Sequence, residues 1–221
     1  MTTMKSNDEH YIPALSYNKL TFLYDPVVRL TTREAAFKSA LLAQARIYLG
    51  HRVLDLACGT ATLTIATKRA YPHTIVVGID GDPVILRKAR AKAQRAGVEV
   101  QLDEGLSYAL PYEDASFDRV LSSLFFHHLT RENKFRTLTE VWRVLKPGGA
   151  LHVADWGTPQ NVVMKIASQV IVRLDGATTK DNFAGLLPAF IAEVGFTDVQ
   201  ETGHFNSLFG TIRLHKAHKP L

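Results

Sequence analysis

The chain has 221 residues, 46% of them hydrophobic, and carries 26 Lys and Arg against 21 Asp and Glu for a net charge of +5. That length suits one α/β domain with a sizeable core, and no apolar run reaches membrane-spanning length. The single cysteine, Cys58, excludes an internal disulfide and a Cys-rich metal site, and makes a reducing, cytoplasmic setting the expectation.

Met1 to Tyr11 is polar and mixed in charge and does not read as a signal peptide. Residues 1–47 read as a helical cap, too small for a domain of its own. Pro26 opens one helical pattern with Val27, Val28 and Leu30. A second runs from Thr32 to Leu49 with Phe37, Leu41 and Ala45 on one face. The cap is expected over the mouth of a sheet or along its side.

Val53 to Leu56 is a short apolar run after Gly50-His51-Arg52 and reads as a buried parallel strand. Small residues follow, then a helical pattern at Leu63, Ala66, Thr67 and Ala70. Ile75 to Ile79 is a second apolar run, with Asp80 at its carboxyl end. In open parallel sheets ligands bind outside the carboxyl ends of the strands, where the turn at Gly59 and the acid at Asp80 both fall. An open turn before a helix N-terminus favours an anionic group, and an acid at the next strand tip suits a ribose diol. Together they describe a site for a nucleoside with an anionic tail. The turn lacks the three glycines of G-x-G-x-x-G and the chain lacks a Walker sequence.

Pro83 starts the next helix, which stops at Gly97, and its Arg87, Lys88, Arg90, Lys92 and Arg95 read as a solvated face. Val98 to Leu102 alternates as a third strand. A loop from Gly105 leads to a fourth strand ending at Val120-Leu121-Ser122-Ser123. A helix spans Arg131 to Leu145, Pro147-Gly148-Gly149 breaks it, and Ala150 to Ala154 forms a fifth strand with Asp155-Trp156 at its tip. Helices follow near 160–174 and 182–194, the second interrupted by Pro188. Strands near 198–202 and 211–216 close the chain, with Lys216, His218 and Lys219 as a basic tail.

Three stretches carry a family resemblance. Asp55-Leu56-Ala57-Cys58-Gly59-Thr60-Ala61 resembles motif I of class I S-adenosylmethionine-dependent methyltransferases, with Ala57 and Ala61 where that family usually has its first and third glycines. The loop from Gly105 to Val120 resembles the family's Gly-Asp-Ala-x-x-Leu-Pro-Phe-x-Asp-x-Ser-Phe-Asp-x-Val. It matches at Gly105, Leu110, Pro111, Asp114, Ser116, Phe117, Asp118 and Val120, with Leu106 replacing an adenine-binding Asp. Glu140 to Gly149 resembles Glu-x-x-Arg-x-Leu-Lys-Pro-Gly-Gly. The chain is similar to the ubiquinone/menaquinone-type group.

The resemblance implies a Rossmann-like α/β fold: a mostly parallel seven-stranded sheet with helices on both faces and a C-terminal antiparallel hairpin, over residues 48–221. It implies S-adenosyl-L-methionine as cofactor, held by Asp55, Ala57, Cys58, Gly59, Thr60, Asp80, Gly81, Leu106, Ser107, Ser122, Ser123 and Leu124. It implies methyl transfer by in-line displacement to a small, largely apolar acceptor through O, N or C. His128 and Asp155 are the catalytic candidates, each with a structural alternative: His128 bonding helix-start backbone, Asp155 capping the helix after Gly157. Tyr17, Phe125, His128 and Trp156 are the substrate candidates, with Phe22, Phe126 and Met164 lining the same pocket. Ser122-Ser123-Leu124-Phe125 stands where base-amino methyltransferases carry Asn/Asp-Pro-Pro-Tyr/Phe, and the acids of metal-dependent catechol methylation are lacking, so neither nucleic acid nor a metal is expected. An RNA or protein methyltransferase and a non-catalytic nucleoside-binding scaffold are the alternatives. The protein is expected to be a monomer or homodimer.

Overall fold

The computed structural model describes residues 33–221. Tyr11, Tyr17, Phe22, Tyr24 and the helix expected after Pro26 lie outside those residues. Seven strands form one sheet: β1 (Arg52–Leu56), β2 (Ile75–Asp80), β3 (Gln101–Glu104), β4 (Phe117–Ser123), β5 (Leu145–Trp156), β6 (Thr197–Ser207) and β7 (Gly210–His218). Their order is β3-β2-β1-β4-β5-β7-β6, with only the last two pairings antiparallel. The helices are α1 (Glu34–Ala45), α2 (Thr62–Ala70), α3 (Pro83–Ala96), α4 (Arg131–Val144), α5 (Val162–Asp175), α6 (Lys180–Phe183) and α7 (Leu187–Glu193), with 3₁₀ turns at Phe126–His128 and Gly176–Thr179.

β1 is buried along nearly its whole length because parallel strands with helices on both faces leave no wet side. Leu54, Leu56, Val77, Val120, Leu151 and Val153 pack on one face with Leu138, Val141 and Phe190 of α4 and α7. Phe37 and Leu41 of α1 pack on the other with Val53, Leu121, Ala154, Trp156 and Ile212. α1 therefore lies along a face of the sheet, and Phe37 and Leu41 are fully buried.

Several expected elements shift. The third strand is Gln101–Glu104 rather than Val98 to Leu102. Gly97 adopts the left-handed conformation at the end of α3, the Val98 N–H returns to the Ala93 carbonyl, and Val98 and Val100 pack back against α3. α4 ends at Val144, and Leu145 already pairs with Phe117, so β5 begins before the Pro-Gly-Gly stretch. The helix expected near 182–194 is two helices, and Pro188 sits in the first turn of the second. Lys219 is no solvated tail. It is buried, donates to the Trp142 and Leu145 carbonyls at 2.8 Å each, and so satisfies the open C-terminus of α4. On α3, Arg87, Lys88, Arg90 and Arg95 are exposed as expected, whereas Lys92 turns toward the Thr60 hydroxyl at 3.2 Å.

Candidate functional site

The register aligns the tips of four strands. Leu56 of β1 stands beside Ile79 of β2 and Ser122 of β4, and Ser123 stands beside Ala154 of β5. β1 and β4 flank the point where successive crossovers leave in opposite directions, so a crevice opens there.

The turn after β1 supplies the first wall. Gly59 has φ +55°, and a Cβ built there meets nothing within 4 Å, so this part of the turn is open. Ala57 and Ala61 hold the left-handed conformation too, at φ +55° and +60°. The turn is tied down from behind. Asp55 is 1% exposed and accepts from the Thr64 hydroxyl at 2.6 Å, and burial raises its pKa to about 6. Asp55 thus braces the start of α2. The Cys58 N–H donates to the Ile79 carbonyl, and burial pushes the Cys58 thiol far above the usual range, so it stays protonated.

Asp80 supplies the second wall. Its Oδ2 accepts from the Gly59 N–H at 2.8 Å and its Oδ1 from the Asp82 N–H at 3.0 Å. Each carboxylate oxygen has further acceptor capacity, which is what a ribose diol needs. Gly81 and Asp82 lead into α3, where the Asp82 carboxylate caps the Val84 and Ile85 N–H groups. Burial raises the pKa of Asp80, and the two N–H donors oppose that shift.

The third wall is the loop after β3. Leu106 and Ala109 close a tight bridge, and the Ser107 hydroxyl is committed to Thr137 of α4 at 2.8 Å, which leaves Ser107 its backbone to offer the crevice. Glu140 and Arg143 of α4 clamp this loop. Glu140 accepts from the Leu110 N–H at 2.8 Å, and Arg143 donates to the Leu110 and Tyr112 carbonyls and to Asp114. Asp118 accepts from Lys146 through both oxygens at 2.9 Å and from the Arg52 N–H at 2.8 Å.

The fourth wall follows β4 and β5. Ser122 is fully buried, and its hydroxyl has no partner among the described residues. Leu124 has φ +53° and its N–H donates to the Ala154 carbonyl, so the chain turns sharply at the tip of β4. Asp155, 1% exposed, organises the 3₁₀ turn that follows. It accepts from the Phe125 N–H at 3.2 Å, the His127 N–H at 3.3 Å, the Trp156 N–H at 2.7 Å, and pairs with His127 Nδ1 at 2.6 Å. Burial would raise its pKa, but the adjoining His127 and these donors hold it below the usual carboxylate range. The helix after Gly157 is capped by Asn161, not by Asp155. The His128 ring centroid lies 3.9 Å from that of His127, with the two rings tilted by 42°. Burial, with His127 beside it, lowers the His128 pKa to about 3.

Phe125 is partly exposed beside this turn. Phe126 lies wholly in the core and does not line a pocket, because the 3₁₀ turn points it inward against α4 and α7. Trp156 is 5% exposed, stacked at 6.3 Å on Phe183 and edge-on to His127. Met164 is half-buried on α5. Tyr17 lies outside the described residues. Sequence reasoning missed Asn182 and His215, which lie with Trp156 in a cleft after β5, because nothing local marks them. Among the described residues, no group of three or more His, Cys, Asp or Glu is placed to hold a metal ion.

A sheet in this order, with an open Gly turn after β1 and a carboxylate at the tip of β2, defines a class I S-adenosylmethionine-dependent methyltransferase. Residues 53–149 match the model of a methyltransferase domain. A demethylmenaquinone methyltransferase of Deinococcus radiodurans is 33% identical over 153 residues, 67% of this chain and 63% of that protein. One of Thermus thermophilus is 31% identical over 188 residues, 76% of this chain and 83% of that protein. Among solved structures, the apo S-adenosylmethionine-dependent methyltransferase SibL superposes with a TM-score of 0.71 at 23% identity, over 93% of this chain and 60% of that one. The chain belongs to the menaquinone/ubiquinone-type family of S-adenosylmethionine-dependent methyltransferases. It is a methyltransferase, and S-adenosyl-L-methionine is its cofactor. No helix among the described residues is long and apolar enough to cross a membrane.

Proposed function

We propose that this enzyme methylates an uncharged, ring-containing small molecule bearing hydroxyl or carbonyl groups, a quinone or its quinol, in line with relatives named demethylmenaquinone methyltransferases. The observation that carries the reading is the Asp155–His127 pair, which fixes the turn bearing Phe125 and His128 at the strand tips next to the open Gly59 turn. That turn offers aromatic surface and a neutral imidazole, the lining that suits an apolar ring oriented by one or two polar groups.

Bound S-adenosylmethionine supplies an electrophilic methyl group on a sulfonium. Asp80 would accept from the ribose hydroxyls, and the Gly59 turn, with Thr60 beside it, would take the methionine tail. Leu106 would pack against the adenine, the Ser107 backbone would meet its edge, and the Ser122–Leu124 backbone would border the methyl group. Asp155 acts through His127 as a positioning residue. Its three bonds to Phe125 and His127 hold the turn in one shape, so the acceptor is aligned without further ordering. With its pKa near 3, His128 is neutral at neutral pH and accepts a hydrogen bond from the acceptor hydroxyl instead of storing a proton.

The test is product analysis by mass spectrometry with S-adenosylmethionine and matched neutral quinols, phenolic acids and amines. The expected result is one added methyl group on the neutral quinol. Transfer only to charged acceptors, or to none of these, contradicts the reading. His128→Ala is expected to raise KM about tenfold, the equivalent of one hydrogen bond, with kcat little changed. A hundredfold loss of kcat at constant KM would assign His128 to proton transfer instead.

A further inference from the structure

Beyond the tip of β5, a cleft of about 280 Å³ opens between the segment Trp156–Thr158, the α6–α7 connection and the β6–β7 hairpin. Asn182 lines it and is 1% exposed, yet neither its Oδ1 nor its Nδ2 has a hydrogen-bond partner among the described residues. His215 of β7 lines it too, 6% exposed, with Nδ1 likewise unpartnered. Buried polar atoms are almost always paired, so two such groups facing one cavity point to a ligand that completes them. The cleft's formal charges are already matched. Arg213 pairs with Glu201 at 2.5 Å and donates to the Thr158 carbonyl at 2.9 Å. The wall is built tight: a Cβ on Gly185 would lie 2.5 Å from the Thr158 hydroxyl.

We propose that this cleft is a subsite for the uncharged, hydrogen-bonding end of the methyl acceptor, a carbonyl, carboxamide or hydroxyl group held by Asn182 and His215. The proposal rests on the acceptor reading above. α6, which carries Asn182, packs against the 3₁₀ turn that carries His127 and His128, and the Trp156 ring lies edge-on to His127, so the cleft adjoins the proposed acceptor position. Asn182 offers both donors and an acceptor, which fits a neutral group with both functions. Because Arg213 and Glu201 already pair with each other, neither an anion nor a cation finds an unmatched countercharge here to repay its desolvation. Burial also lowers the His215 pKa, which keeps its ring neutral. The cleft of about 280 Å³ has room for a single substituted ring.

The test uses the full chain, ¹⁵N-labelled, titrated with benzamide, benzoate and benzylamine, three one-ring probes that differ in charge. Benzamide is expected to shift the amides of Gly157, Thr158 and Gly185, with benzoate and benzylamine at least tenfold weaker. Asn182→Leu should lose benzamide affinity at least tenfold, keep S-adenosylhomocysteine binding, and melt no lower than wild type, because it removes a buried unpaired amide. Amides unmoved by benzamide, equal affinity in Asn182→Leu, or a clear drop in its melting temperature would each overturn the proposal. If Asn182→Leu is insoluble, His215→Phe gives the same reading, with at least a fivefold loss expected and unchanged affinity contradicting it. Wild-type protein that binds benzamide in the cleft but not S-adenosylhomocysteine would instead bring down the methyl-transfer reading and, with it, the role of the cleft as an acceptor subsite.

Discussion

His152 shows how a single buried ring sets acid sensitivity. It alternates with Leu151 and Val153 on β5 and so faces the α1 side of the sheet, 2% exposed, with neither ring nitrogen partnered among the described residues. Burial, with Arg119 next, lowers its pKa from 6.5 to about 3. Between those values the unfolded ring is protonated and the folded one is not, so stability rises with pH; it is fully present above 6.5 and is lost as pH falls toward 3. His128 acts in the same sense, whereas Asp55, raised to about 6, opposes them between about 4 and 6. Comparing His152→Phe with wild type isolates the one ring. The variant should gain about 1.4 kcal/mol relative to wild type for each pH unit from 6 down to 4, read from urea unfolding. A difference independent of pH would show that the ring titrates normally. Ala57 and Ala61 give the other residue-scale lesson. The turn keeps the left-handed backbone at both positions although neither is glycine, and the Ala61 methyl is buried against Ile65, Ala89 and Ala93. Burying that methyl, about 0.8 kcal/mol, offsets much of the backbone strain.

At the scale of elements, the Glu140–Arg143 pair of α4 explains what the Glu-x-x-Arg stretch does. One guanidinium bonds two loop carbonyls, Asp114 and Glu140, and Glu140 holds the Leu110 N–H, so the stretch clamps the third wall. Arg143→Ala should destabilise the fold by about 2 kcal/mol and speed amide exchange at Leu110, and Arg143→Lys should not restore it, because an ammonium lacks the planar fork. Unchanged exchange at Leu110 in Arg143→Ala would remove the clamp. This stretch, the Gly59 turn and Asp80 were legible because each is local: a strand tip, a turn and a helix read within a few residues. What was not legible depends on distance. The partner of Asp155 is His127, 28 residues earlier, and Asn182 and His215 line one cleft from two separate elements. The shift of β3 came from a helix cap that drew Val98 back onto α3, a choice alternation alone does not reveal. Lys134 is a similar case. A lysine on an amphipathic helix reads as solvated, yet it is fully buried and donates to the Thr178 carbonyl at 2.7 Å, tying α4 to the segment before α6.

For the whole molecule, function follows from strand order. Five parallel strands bring the turn after β1, the acid of β2, the loop after β3 and the tips of β4 and β5 to one edge, and the antiparallel pairing of β7 with β5 puts Arg213 and His215 beside Asp155 and Val153. The proposed cofactor site at β1–β2 and the proposed acceptor site at β4–β5 are therefore neighbours by topology. By the proposal above, the Gly59 turn and Asp80 hold S-adenosylmethionine. Titration calorimetry with S-adenosylhomocysteine tests it most directly. One site per chain is expected, NAD should give no comparable binding, and Asp80→Ala should weaken affinity by about 1.5–3 kcal/mol, the scale of hydrogen bonds to a charged group. Preference for NAD, or unchanged affinity in Asp80→Ala, would contradict the account.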